Sequence, residues 1–293
     1  ETALPSGNMY LSARSKEGFN MKKLVILIAV ACSLGLLLAS AAPAAAATRE
    51  EALSAAQERL ARLFDSEETR ELFALFDKMK DVGLSWNEDL LTPLKNLVGC
   101  KSLEQLHVLW GIGAMNHSYA MLFDKVDENF LETGREIDRR IGFPRAKIRE
   151  ESKAFAEKRE GQAASSIDMV LAMLELAKTD DIVLNTLVGG FYGSTLEIFY
   201  LLSSLGLASG VTDEFTAFVN GHLPQLELAQ EMLEAYSENE ELAKMLDADG
   251  RKAVIDSIVA IISGEMGKLT EGDLKEILFI VKSVRDPLVA PCQ

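Results

Sequence analysis

The chain has 293 residues, of which 48% are hydrophobic, and it carries a formal net charge of −15 at pH 7. A chain of this length can bury a large core in one or two domains. Its acidic balance repels nucleic acids and anionic membrane surfaces, so we expect neither as a partner.

A secretory signal peptide is predicted at residues 21–47. Residues 21–23 supply a positive start, residues 24–39 are almost wholly apolar, and small residues then continue to Ala47. That order of charge, apolar core and small residues is typical of a bacterial export signal. We therefore expect cleavage between Ala47 and Thr48, and a mature protein that is periplasmic or secreted.

Residues 1–20 precede this predicted start. Residues 16–18 can be encoded by a purine-rich ribosome-binding sequence at the right distance from Met21, so we interpret residues 1–20 as an untranslated leader; a tag or a native extension is the alternative. Cys32 follows a sequence that loosely resembles a lipoprotein cleavage box. The apolar residues after Cys32, where a polar tether would be needed, argue against lipidation.

Cys100 and Cys292 are the cysteines that remain after cleavage. Two thiols in an oxidising compartment predict one disulfide. The alternatives are two buried free thiols or a metal site, for which two cysteines alone are a poor ligand set. Proline occurs twice in residues 287–293, so this tail is predicted to be non-helical and in need of an anchor. A bridge to Cys100 would supply that anchor.

Residues 48–293 are predicted to form a single all-α domain, a bundle-like or orthogonal multi-helix array. Apolar side chains recur every three to four residues, the period of amphipathic helices, in residues 53–64, 72–79, 167–174, 229–236 and 274–281. Thr48 with Glu51 and Ser102 with Gln105 fit capping boxes that start helices. Alternating runs with hairpin turns are not evident, so strands are not expected.

Two stretches, residues 103–123 and 182–208, are apolar on most sides, which predicts two central buried helices. The second is long enough to span a bilayer. It contains several polar residues, including Glu197, and has acidic rather than basic flanks. We therefore expect a core helix and no stable membrane span after signal removal.

The two apolar stretches resemble each other, which raises the hypothesis of an internal duplication. Residues 97–113 can be laid on residues 187–206, because Leu-Val-Gly and then Leu-Glu recur in both. The halves would be residues 48–142 and 145–293, and chance similarity of apolar sequence is the alternative. The glycines of both stretches are predicted to let the helices approach closely.

Six polar or aromatic residues in these helices are candidates for a small-molecule pocket. One predicted wall holds Glu104, His107 and Trp110, and the other holds Tyr192, Glu197 and Tyr200. Mostly apolar concave sites with a few convergent polar groups are typical of small-molecule binding. The alternative is that these groups only satisfy one another in the core.

Metal sites are weakly indicated. Glu104 and His107 have the spacing with which a bundle helix offers two ligands to a di-iron centre, but the sequence offers no second such pair. A buried, hydrogen-bonded Glu–His pair is the favoured interpretation, and no metal or cofactor is predicted. Residues 247–250 begin like a calcium loop, but Arg251 breaks that pattern, which leaves a turn between helices.

Motifs for nucleophilic catalysis, phosphate binding, dithiol redox chemistry and haem attachment do not occur in the sequence. The favoured hypothesis is a non-enzymatic periplasmic protein that acts by interaction with a protein partner in the envelope, as a scaffold or adaptor. One alternative is a carrier of an apolar small molecule held between residues 103–123 and 182–208. Another is a metal-dependent enzyme that uses Glu104 and His107.

Overall fold

The computed structural model describes residues 48, 50–51, 54, 80, 82–93, 98–126, 128–157, 166–237, 239–264 and 268–292. The predicted leader and signal peptide, including Ala47, lie outside the described residues. So do most of the apolar stripes at residues 53–64 and 72–79.

Every regular element in the described residues is helical, which confirms the predicted all-α class. A short 3-10 turn, Glu88–Leu90, comes first. The α-helices that follow are α1 (Leu103–Leu122), α2 (Glu128–Ile141), α3 (Arg145–Glu157), α4 (Ser166–Ala177), α5 (Asp181–Ser209), α6 (Asp213–Asn220), α7 (Leu223–Ser237), α8 (Glu240–Leu246), α9 (Ala248–Ile262) and α10 (Glu271–Val289).

The predicted capping boxes are both present. The Ser102 hydroxyl accepts a hydrogen bond from the Gln105 amide, and the Gln105 side chain accepts one from the Ser102 amide, so α1 begins where the sequence indicated. At the start of the described chain, the Glu51 carboxylate accepts a hydrogen bond of 2.8 Å from the Thr48 amide. Such reciprocal bonds satisfy amides that have no partner within the first helical turn.

Helix α5 is the centre of the bundle. It packs against α1, α10 and α4, and its contact with α1 is the most extensive in the described part of the chain. By length and composition α5 could cross a membrane, yet 89% of its apolar 18-residue window is buried inside the protein. The two central buried apolar helices predicted from the sequence are therefore α1 and α5.

Glycines bring the backbones of α1 and α5 into direct contact, as predicted from the glycines in the two apolar stretches. A Cβ atom placed on Gly111 would lie 1.8 Å from the carbonyl oxygen of Gly190, and one on Gly193 would lie 2.0 Å from that of Val108. The Ser194 hydroxyl also donates a hydrogen bond of 3.2 Å to the Gly111 carbonyl. The crossing thus depends on the absence of side chains at these positions.

Replacement of Gly193 with Ala is expected to lower the free energy of unfolding by about 1–3 kcal/mol or more, because a backbone carbonyl cannot rotate away as a side chain can. Urea denaturation measures the change. Gly134 in α2 is the matched control, since a Cβ there meets nothing within 4 Å. Gly134→Ala should stabilise by up to about 1 kcal/mol, and equal effects of the two substitutions would contradict the tight crossing.

The junction of α6 and α7 buries His222, whose Nδ1 lies 2.9 Å from the carbonyl oxygen of Phe218. A neutral imidazole can donate this hydrogen bond. Burial is the main cause that lowers the pKa of His222 to about 4. Since an unfolded histidine titrates near pH 6.5, the unfolded state alone gains this proton as the pH falls from about 6.5 to about 4.

Acidification is therefore expected to destabilise the fold through His222, by about 2 kcal/mol between pH 7 and pH 5. Above pH 6.5 the imidazole is neutral in both states and contributes no pH dependence. Urea denaturation of the wild type and His222→Gln at the two pH values isolates this contribution. The difference in free energy of unfolding between the wild type and His222→Gln should change by about 2 kcal/mol from pH 7 to pH 5. No change in that difference would show that His222 takes up its proton in the folded state as well.

The predicted boundary between the two halves coincides with a helix break. Gly142 has a φ of +71° and separates α2 from α3, which begins at Arg145. The proposed duplication pairs Glu104 with Glu197, but Glu104 is exposed and Glu197 is fully buried. The duplication stays a hypothesis.

The tail prediction is wrong in one respect, because α10 continues through Pro287 to Val289. Proline has a helical φ, but it removes the hydrogen bond to the carbonyl four residues earlier and crowds it, and α10 ends two residues later, at Val289. The chain leaves the helix at Ala290, and the sulfur atoms of Cys100 and Cys292 then lie at disulfide distance, 2.02 Å. The predicted cysteine pairing thus ties the end of α10 to the start of α1.

Candidate functional site

Three of the six predicted pocket residues lie in two polar clusters, Trp110 in one and Glu197 with Tyr200 in the other. Trp110 Nε1 donates a hydrogen bond of 2.9 Å to Asp138 Oδ1. Asp138 also forms an ion pair with Arg145 at the start of α3. Burial raises the pKa of Asp138, whereas the charge of Arg145 and the hydrogen bond from Trp110 act in the opposite direction. The Trp110 indole therefore fastens α1 to the α2–α3 junction.

Glu197 and Tyr200 surround a buried arginine, Arg285 of α10. Arg285 Nη2 donates a hydrogen bond of 2.9 Å to Glu197 Oε1, and Nε binds the other carboxylate oxygen. The Thr92 hydroxyl accepts a further hydrogen bond from Nη2. The guanidinium carbon lies 3.7 Å from the centre of the Tyr200 ring. Both ends of this ion pair are thus hydrogen-bonded, and the cation is also covered by an aromatic face.

The remaining three predicted residues, Glu104, His107 and Tyr192, lie around Arg251 of α9. The Arg251 guanidinium carbon is 5.5 Å from the centre of the Tyr192 ring. Burial lowers the pKa of Arg251, and interactions with Tyr192, Asp247 and Glu104 oppose that effect. We call Glu104 and His107 of α1, Tyr192 of α5 and Arg251 of α9 the Arg251 cluster.

His107 in the Arg251 cluster is held in one neutral form. Its Nδ1 is 2.8 Å from the Thr186 hydroxyl, which itself donates to the Ile182 carbonyl. Because that hydroxyl has one proton, Nδ1 of His107 must be the donor and Nε2 carries the lone pair. Burial, and then the charge of Arg251, lower the pKa of His107 to about 4. The ring is uncharged at neutral pH.

Arg251 differs from Arg285 in one decisive respect, although the two are almost equally buried, at 6% and 4% exposure. Nη1 of Arg251 is buried and has no hydrogen-bond partner among the described residues. A buried donor without a hydrogen-bond acceptor costs about 1–3 kcal/mol. The guanidinium of Arg285 has hydrogen bonds that offset this penalty, whereas Nη1 of Arg251 forms none with the described residues. Arg251 is therefore the candidate for a residue kept for binding.

The α1–α5 crossing bears on the predicted apolar carrier site. Where Gly111 and Gly193 bring the backbones together, a ligand has no room between the helices. The Arg251 cluster lies beside this crossing, since His107 packs against Gly189. A binding role for Glu104, His107, Trp110, Tyr192, Glu197 and Tyr200 remains a prediction.

Among the described residues, no three His, Cys, Asp or Glu side chains lie together in a way that could hold a metal ion. Glu104 is exposed on the first turn of α1, whereas His107 one turn later is buried against Thr186. The turn predicted at residues 247–250 is confined to Asp247, which has a left-handed φ of 46° and separates α8 from α9. Residues 248–250 already belong to α9.

Sequence reasoning missed both buried arginines, although their positions carried a signal. The buried face of α9 continues the helical period through Ala248, Arg251, Ile255, Ile258 and Ile262. That of α10 comprises Leu274, Ile277, Val281 and Arg285. A cation in register with an apolar stripe is a candidate buried charge, because it lies on the same side of the helix.

Comparisons with protein-family models, with curated proteins and with solved structures give no match to this chain.

Proposed function

We propose that this chain is an exported bacterial protein that acts without catalysis, by binding, in the periplasm or at the cell envelope. The N-terminal sequence pattern supports export. The paired cysteines support an oxidising compartment, because such bridges are rare in reducing ones.

A single observation carries the binding function, the buried Nη1 of Arg251, which has no hydrogen-bond partner among the described residues. Folding leaves this donor atom inside the protein without a hydrogen bond such as the one that Arg285 Nη2 donates to Glu197. A buried polar atom without a partner in the chain needs an explanation, and a bound external group supplies one.

The proposal is tested by production of the chain in a bacterial host and analysis of the fraction released by osmotic shock. Intact mass should correspond to residues 48–293 minus two hydrogen atoms. Native mass spectrometry of the same material, and crosslinking in living cells, should reveal a bound molecule or an envelope partner. Unprocessed chain in the cytosol would contradict export, and processed chain that stays alone in both measurements would contradict binding.

A further inference from the structure

We propose that the Arg251 cluster is a binding site for the carboxylate group of a small molecule, with the Arg251 guanidinium as its anchor. This inference rests on the proposed binding function and names its ligand class. Three observations support it: the burial of Arg251, the missing hydrogen-bond partner of its Nη1, and the groups that surround it.

An anion suits this site best, because the atom without a partner is a cationic donor and hydrogen bonds between opposite charges are the stronger ones. Nη1 of Arg251 has no acceptor among the described residues. A planar guanidinium matches a carboxylate with two parallel hydrogen bonds, a pairing that is both directional and strong. One bound carboxylate would supply the acceptor that Arg285 obtains from Glu197.

Charge around the cluster selects a monoanion over a dianion. Asp247 and Glu104 are both exposed, and both interact electrostatically with Arg251. Their carboxylates repel a second negative charge on the ligand, which disfavours phosphate esters. His107 is neutral at neutral pH and adds no positive charge to offset that repulsion.

The rest of the ligand meets an aromatic surface. Tyr192 is buried beside Arg251, with its ring 5.5 Å from the guanidinium carbon. An aromatic face favours an apolar group attached to the carboxylate, since burial of apolar area is itself stabilising. His107 packs against Gly189 beside the α1–α5 crossing, so we expect a ligand with a short apolar group.

Butyrate is a suitable probe, with butyramide as its uncharged match and inorganic phosphate as the dianionic competitor. Titration calorimetry on the processed chain should show saturable butyrate binding, with weaker or no binding of the other two. Arg251→Met should weaken butyrate binding at least about 10-fold, because a hydrogen bond to a charged group contributes about 1.5–3 kcal/mol.

Lys252→Met is the matched control, because it removes an adjacent positive charge that pairs with Asp256 on the surface. Butyrate affinity should be unchanged in this variant. Circular dichroism of both variants checks that they fold, which separates a lost ligand contact from a lost structure.

Histidine NMR locates the bound probe. A carboxylate on Arg251 would offset the charge that helps to lower the pKa of His107, so that pKa should rise when butyrate is added. His222, which owes its low pKa to burial, should not respond. No saturable butyrate binding, equal binding to Arg251→Met, or equal binding of butyramide would overturn this inference while leaving export and other binding intact.

Discussion

Replacement of Arg285 with Met is expected to lower the free energy of unfolding by about 3–5 kcal/mol, because it leaves the Glu197 carboxylate buried without its cation. Glu197 is fully buried in α5, and Arg285 supplies both of the hydrogen bonds that its carboxylate oxygens receive from α10. Thr92 loses its arginine donor in the same variant. Urea denaturation measures the loss.

The double variant Arg285→Met, Glu197→Leu is the control for this prediction. Replacing both members of a buried ion pair with apolar groups is often close to neutral, so the second change should recover much of the stability lost in the first. A single variant within about 1 kcal/mol of the wild type would mean that Glu197 is protonated or reaches water. In that case the Arg285–Glu197 ion pair would not stabilise the fold, and its contrast with Arg251 would be lost.

Loss of the link between Cys100 and Cys292 is expected to destabilise the protein by about 2–5 kcal/mol. The two cysteines are 192 residues apart in sequence, so the link restricts the unfolded chain over most of residues 48–293. In the folded state it holds the end of α10, where Lys101 also donates a hydrogen bond of 3.3 Å to the Pro287 carbonyl.

Two measurements separate this effect from an effect of the substituted residues. The Cys100→Ser, Cys292→Ser variant should match the reduced wild type in urea denaturation and should not respond to a reductant. Limited proteolysis should release the residues after Val289 more readily in the variant. If a reductant left the wild type unchanged, the two sulfur atoms would not be bonded in solution.

The sequence predicted the backbone of this domain better than its side-chain partners. Continuous apolar stretches, with a capping box at the start of α1, predicted α1 and α5 to within one residue of their observed ends. The glycines in these stretches likewise predicted the close crossing at Gly111 and Gly193. These features follow from local chemistry.

Partners distant in sequence were out of reach of the same reasoning. Glu197 pairs with Arg285, 88 residues later, and that cation also reaches Thr92 across 193 residues. Which of several buried polar groups meet is decided by how the helices pack, and periodicity gives only the face on which each group lies. The six residues predicted to line one pocket therefore lie in three clusters, centred on Asp138, Arg285 and Arg251.

The central claim is that Arg251 is buried for a ligand and Arg285 for the fold. The most direct test is the free energy of unfolding of ligand-free Arg251→Met, measured beside ligand-free wild type and Arg285→Met. Because the substitution removes a buried cation whose Nη1 has no hydrogen-bond acceptor among the described residues, stability should stay within about 1 kcal/mol of the wild type or rise. A loss as large as that of Arg285→Met would contradict the claim and make Arg251 a structural residue.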